Sequence, residues 1–152
     1  MCDTSALDTI EFGQETSVRD IWAGDAQAVR VAVRSRPLSA HEKLAEASDC
    51  IKISFNNQIK LGSKYFTFDA VYDWTRSQSS IYNECISKLV TSCFDGFNAT
   101  VLAYGQTGSG KTFTMGSTSV GNVLDEEQGI IPRAIRQIFE EIAERKRKEP
   151  GL

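Results

Sequence analysis

The chain has 152 residues, with 17 Lys+Arg against 20 Asp+Glu, 41% hydrophobic and 9% aromatic side chains, and a formal net charge of -3. That fits one ordinary globular domain. No apolar run approaches the roughly 18 residues of a spanning helix, and the opening MCDTSALDTIEFGQE has neither a basic nor an apolar leader region, so neither a membrane span nor a secretory signal is expected.

In chain order, residues 1–28 come first, with six acids and one base (Arg19). Acidic and poor in periodicity, they read as a disordered extension ahead of a domain spanning 29–152. Residues 29–132 balance ten acids against ten bases, which argues against a duplex-DNA binder and its concentrated basic face. Ala28 to Arg36 alternates, with Val29, Val31 and Val33 on one face, and stops at Pro37: a strand. A polar, helix-permissive stretch leads to three short alternating runs within 50–68, separated by Asn56-Asn57 and Gly62, which read as a small antiparallel flap.

From Ser80 the period changes. Ile81, Cys85, Leu89 and Cys93 at i, i+4 spacing, serines before and Gly96 after, predict a helix over about 80–95. Thr100 to Tyr104 is apolar throughout and reads as a strand buried on both faces. A glycine-rich run follows, then Phe113-Thr114-Met115, a polar loop over 116–128, and a helix opened by Pro132 in which Ile131, Ile135, Ile138, Phe139 and Ile142 share one face. Cys2, Cys50, Cys85 and Cys93 lie far apart and His41 is the single histidine, so the cysteines read as reduced thiols and no zinc site is expected.

Gly105-Gln106-Thr107-Gly108-Ser109-Gly110-Lys111-Thr112 fits the phosphate-binding pattern G-x-x-x-x-G-K-[ST], with a strand before and a helix start after. The glycines permit backbone angles and close approach closed to larger residues, so successive amides can face phosphate oxygens. Lys111 brings a compact cation to the β/γ-phosphates, and Thr112 a hydroxyl for Mg²⁺. A flexible Gly/Ser loop is the plain alternative.

The run FNATVLAYGQTGSGKTFTMG (97–116), with RSRP (34–37), FTFDAVYD (66–73), Gln78, Tyr82 and GIIPRAI (129–135), closely resembles the kinesin motor domain over about residues 29–145. The wording of 97–116 looks nearest to the chromokinesin branch. The resemblance implies an α/β fold of the three-layer P-loop NTPase type, with only its N-terminal part covered. It implies ATP with Mg²⁺ as cofactor and residues 105–112 as the phosphate loop. It also implies that Arg34 and Pro37 sandwich the adenine, with Phe113 and Phe97 packing on the base. A charged strand end halted by proline is the alternative for Arg34 and Pro37, and core packing for Phe97. FTFDAVYD and GIIPRAI read as scaffold.

What the family uses for turnover is not found. The switch motifs N-x-x-S-S-R-S-H and D-L-A-G-S-E do not occur, and no acid ends an apolar strand after Thr112 to hold Mg²⁺ through water. No catalytic residue is therefore assigned. The expected function is the ATP-binding front portion of a microtubule motor, with hydrolysis and movement belonging to the intact domain and the chain alone expected to be marginally stable. The alternative is a non-catalytic remnant that binds nucleotide or a partner without turnover. A small kinase or GTPase is disfavoured by the late position of the loop and the lack of an N-K-x-D tetrad. The implied partner is the microtubule, with its contact elements missing here. Oligomeric state would be set by an absent stalk, and the implied location is the cytoplasm on the cytoskeleton, with nucleus or spindle as alternatives. No membrane or nucleic-acid partner is indicated.

Overall fold

The computed structural model describes residues 7–14, 29–54, 57–116 and 125–148, the first of these by backbone alone. In chain order the elements are β1 (Leu7–Gln14), β2 (Val29–Ser35), α1 (Ala40–Leu44), β3 (Ile51–Ser54), β4 (Gln58–Leu61), β5 (Lys64–Thr67), β6 (Ala70–Tyr72), α2 (Gln78–Ile81), α3 (Ser87–Phe94), β7 (Ala99–Tyr104), α4 (Lys111–Met115) and α5 (Ile130–Lys148). They fall into two compact units.

The first unit comprises residues up to 13, 27–76 and 100–111, and holds both sheets. One has four strands in the order β6-β2-β1-β7; the other is the antiparallel β3-β4-β5 meander expected from 50–68. β2 forms as expected but is buried on both faces from Ala32 to Ser35, while Val29 is exposed, so the expected one-sided Val29, Val31, Val33 face is not what is covered; its parallel register with β6 pairs Val33 with Val71. Asp69 clamps the entry to that pairing: its carboxylate accepts from Val31 N–H at 2.7 Å and its own N–H donates to Val31 C=O at 3.1 Å. Such a charge-assisted bond to a backbone amide fixes β6 against β2. In the meander Ile59 is buried, while Tyr65 and Phe66 are exposed, so only part of FTFDAVYD is core. Asn57 takes the positive φ of the β3–β4 turn. Ser39 and Glu42 form a capping box that starts α1 in the polar stretch after Pro37.

Three expectations for this unit need correction. The acidic head is not without regular structure: Leu7–Gln14 form β1, antiparallel to β2 over seven residue pairs from Leu7↔Ser35 to Gly13↔Val29. The Thr9-Ile10-Glu11-Phe12 run has strand propensity, and an available sheet edge outweighs the acidic composition. The rest of the head lies outside the described residues. Secondly, β7 lies at an edge of its sheet and is not buried on both faces: Leu102 is 54% and Tyr104 72% exposed. Thirdly, Cys50 is disulfide-bonded and not a thiol, whereas Cys85 and Cys93 are in no disulfide.

The second unit comprises 14–26, 77–99 and 112–152. Ser77 caps α2 by accepting from Ser80 N–H at 3.1 Å, so the helix begins at Gln78, slightly before the predicted start. Between α2 and α3 one π-turn (Tyr82–Ile86) widens the helix without interrupting it, and Gly96 at φ +91° ends the rod. Ile81, Tyr82, Cys85, Ile86, Leu89 and Val90 form the buried face. Gln137 of α5 stitches the two helical segments: it accepts from Tyr82 Oη at 2.6 Å, and its amide donates to Ser87 C=O at 3.0 Å and Thr91 Oγ1 at 3.2 Å. Arg145 adds a bond to Phe94 C=O and stacks 4.8 Å from the Phe94 ring centre. Ile130 is buried, whereas Ile131, Ile135, Ile138 and Phe139 are exposed, so the predicted apolar stripe of α5 is real and largely open.

Candidate functional site

β7 delivers the chain directly into the loop at Gly105, and α4 begins at Lys111. The strand–loop–helix context demanded by the motif is therefore present. Within the loop, Gly108 (φ +83°) and Gly110 (φ +112°) adopt backbone angles that L side chains rarely take. A Cβ on Gly108 would meet nothing within 4 Å, so that stretch of backbone faces open space. Ser109 is buried and donates its N–H to Gln106 C=O at 3.2 Å, which closes the loop on itself; Gln106, Thr107 and Gly108 are exposed.

Lys111 sets the shape of the loop. Its Nζ donates to Gly105 C=O at 2.7 Å and to Gln106 C=O at 2.6 Å, so the ammonium draws the first two carbonyls of the loop toward the last. An ammonium has three N–H donors, and these two bonds leave one for an anion. A concave, glycine-hinged backbone around a fixed cation has the donor chemistry of a phosphate cradle. Thr112, in the first turn of α4, is exposed and offers one hydroxyl. Among the described residues no group of three or more His, Cys, Asp or Glu side chains could hold a metal by itself. A divalent ion at Thr112 would take the rest of its shell from phosphate oxygens and water, which is how Mg²⁺ is commonly held.

The residues expected around the base are placed as follows. Arg34 is buried near the end of β2, with Nη2 donating to Arg76 C=O at 3.3 Å. Pro37 is exposed and borders a cavity of about 660 Å³, which is also lined by Leu38, Glu42, Ile51, Asp73 and Trp74. Arg36 and Glu42 also line that cavity and are joined by two bonds of 2.7 and 2.6 Å. The Arg36 guanidinium, with help from Ser39, holds the Glu42 carboxyl well below the usual carboxylate range. Phe113, in α4, is 56% exposed. Phe97 is half-buried just after α3, with its N–H on Ser92 C=O at 3.2 Å.

Two features escape a motif search. Gln78, which enters only as part of a resemblance, is buried and donates Nε2 to Phe113 C=O at 2.7 Å, so it fastens α4 to α2. Gly116 and Gly129 touch backbone to backbone: a Cβ on Gly129 would lie 2.2 Å from Gly116 N. Their contact ties off the predicted polar loop at its neck. The glycines flanking that loop were visible in the sequence, but their contact was not.

The kinesin motor domain family model matches residues 34–150. The chain belongs to the kinesin motor domain family. It is 49% identical over 128 residues to the human kinesin-like protein KIF21A, covering 83% of this chain and 8% of that protein. It is 52% identical over 122 residues to human KIF21B, covering 79% and 8% respectively. Among solved structures it is similar to the Drosophila kinesin family member Kin10/NOD in complex with divalent manganese and ADP, with TM-score 0.57 and 33% identity over 64% of this chain and 34% of that one. NOD in complex with AMPPNP aligns with TM-score 0.59 and 31% identity, over 66% and 34%. The chain thus spans about a third of these solved chains and under a tenth of the curated relatives. None of the described helices is long and apolar enough to cross a membrane.

Proposed function

We propose that this chain binds ATP with Mg²⁺ through residues 105–112 and serves as the nucleotide-binding front of a microtubule-based motor. The observation that carries the reading is the Lys111 ammonium bridging Gly105 and Gln106 C=O within a glycine-hinged loop. Lys111 would orient the β/γ-phosphates, the amide N–H groups around Gly108 and Gly110 would donate to their oxygens, and Thr112 would hold the metal through its hydroxyl. Mg²⁺, when bound, neutralises phosphate charge. Arg34, Pro37, Phe113 and Phe97 remain the proposed contacts to the base. NOD, with 31–33% identity, has been solved with ADP and manganese and with AMPPNP, and has been docked with bovine tubulin into a map of its microtubule complex. Those complexes favour an adenine nucleotide and the same filament here. Turnover is assigned to no residue of this chain.

The test is equilibrium binding of a fluorescent ATP analogue to the 152-residue chain and to Lys111→Ala. Loss of one charge-assisted donor at a phosphate, about 1.5–3 kcal/mol, predicts binding weaker by about 10- to 100-fold. Unchanged affinity would remove the phosphate-cradle reading. Tighter binding of GTP than ATP would move the chain to another nucleotide class.

A further inference from the structure

Just after β2, Arg36 and Glu42 tie the chain into a closed ring of hydrogen bonds that includes Pro37. Arg36 Nη1 donates to the C=O of its own neighbour Pro37 at 2.9 Å and to Glu42 Oε2 at 2.7 Å, while Nη2 donates to Glu42 Oε1 at 2.6 Å. The same Glu42 Oε2 accepts from Ser39 N–H at 2.6 Å. One guanidinium and one carboxylate therefore grip the backbone on either side of Leu38, at Pro37 C=O and at Ser39 N–H. Bidentate, charge-assisted pairs of this kind fix geometry as well as contributing energy.

The network exceeds what α1 needs. A capping box requires only Ser39 and Glu42, and α1 is five residues long with none of them buried. Leu44, its largest apolar side chain, is 85% exposed, so starting this helix secures no core. What the added Arg36 bonds hold is the backbone at Pro37, whose own ring already locks φ. Arg34, two residues earlier, is held as well, through Arg76 C=O, and Arg76 N–H in turn bonds Asp73 C=O at 3.2 Å.

We propose that Arg36 and Glu42 are positioning residues for the nucleotide base: their ring of bonds sets the Pro37 wall of the base site in place before a ligand arrives. This rests on the assignment of Pro37 to the base within the ATP reading. Arg36 and Glu42 act through Pro37 and are not themselves assigned to the ligand. A wall that is already ordered lets the base bind without the cost of ordering it. With the ring opened, residues 37–39 sample other conformations, and affinity falls by the fraction of time spent in the competent one. The phosphate loop takes its shape from Lys111 and not from this ring, so the effect is confined to the base.

Calorimetric titration of the 152-residue chain with ATP and, separately, with inorganic tripolyphosphate, each with Mg²⁺, tests this. Glu42→Ala should weaken ATP binding about 3- to 10-fold, the change expected if the competent conformation falls to about a third or a tenth of the population, and leave tripolyphosphate affinity unchanged. Ala40→Gly, which weakens α1 through helix propensity alone, should leave both affinities at the parent values. Without ligand, the Ser39 amide should exchange at least about tenfold faster in Glu42→Ala than in the parent, with the β2 amides unchanged. Unchanged ATP affinity or unchanged Ser39 exchange in Glu42→Ala overturns the proposal. Equal weakening of both ligands, or the same loss in Ala40→Gly, reveals a structural role only and overturns it too. A parent chain that binds ATP no better than tripolyphosphate keeps its phosphate cradle but has no base site, which removes this proposal alone; a parent that binds neither removes the ATP reading and the proposal together. Should Glu42→Ala lose amide protection in α5, and with it the fold, Arg36→Lys keeps the charge, gives up the bidentate fork and carries the same expectations.

Discussion

The Gly116–Gly129 contact makes a sharp prediction for Gly129→Ala. The added methyl carbon would lie 2.2 Å from Gly116 N, 2.6 Å from Gly116 Cα and 2.6 Å from Met115 C. All three are backbone atoms, so no rotamer change relieves the clash. Gly116 is itself at φ +87° and donates its N–H to Thr112 C=O at 3.0 Å, so moving it strains the end of α4. Overpacking a core costs about 1–3 kcal/mol when side chains can yield; with backbone on the receiving side the cost lies at the top of that range, about 3 kcal/mol. Gly62→Ala is the control: its φ is +60° but a Cβ there meets nothing within 4 Å, so the cost is the left-handed backbone alone, about 1 kcal/mol. With a urea slope of about 2 kcal/mol/M, Gly129→Ala should lower the unfolding midpoint by about 1.5 M and Gly62→Ala by about 0.5 M, read by circular dichroism at 222 nm. If the parent midpoint is itself low, Gly129→Ala should show no folded baseline while Gly62→Ala keeps one. Equal shifts, or an unshifted Gly129→Ala, would refute the close contact.

Three further outcomes follow from named contacts. Burial pushes the Tyr82 phenol up to about 12 from its ordinary value of 10.0. Its folded pKa is raised, so the stability it contributes is intact below pH 10 and lost as pH rises through about 12. Tyr82→Phe should remove that component from an alkaline titration followed at 222 nm, and an identical profile would count against it. The Glu42 carboxyl is depressed by Arg36 and Ser39, so its contribution is present above its ordinary pKa of 4.5 and lost as pH falls below it. Arg36→Ala should raise the Glu42 carboxyl titration seen by NMR toward the ordinary range, and no movement would show that the pair does not hold it. Gln78→Ala cuts the tie to Phe113 C=O; a loss of about 1–2 kcal/mol and faster amide exchange in α4 than in α5 are expected, whereas equal acceleration in both would indicate general destabilisation.

What the sequence made legible was whatever residue type alone decides. The strand–loop–helix setting of residues 105–112 could be read because glycines, a lysine and a hydroxyl side chain mark that pattern locally, and β2 because alternation is a local property of nine residues. The β3-β4-β5 meander was equally local, signalled by Asn56-Asn57 and Gly62. The π-turn at Tyr82–Ile86 was not readable: one widened turn shifts the hydrogen-bond register yet leaves the apolar spacing of Ile81, Cys85 and Leu89 intact. Nor was β1, because six acids dominate the composition of 1–28 while a strand forms wherever an edge accepts it. The disulfide at Cys50 was not readable either, since cysteine spacing alone does not say which thiols come within bonding distance.

β7 shows how such a miss carries information. Its residues are apolar on both faces, which a strand covered from two sides requires. In the structure Val101 and Ala103 are half-buried while Leu102 and Tyr104 stand open. The same holds on α5, where Ile135 and Phe139 follow the helical stripe yet face outward. Apolar pattern therefore records the cover a segment is built to receive, and exposure records the cover it has. Where the two agree, as at Val33 and Ile81, the described residues supply the whole environment. Where they differ, as at Leu102, Tyr104 and Phe139, the apolar spacing is kept but no described residue covers the side chain, so residue pattern and burial have to be read separately.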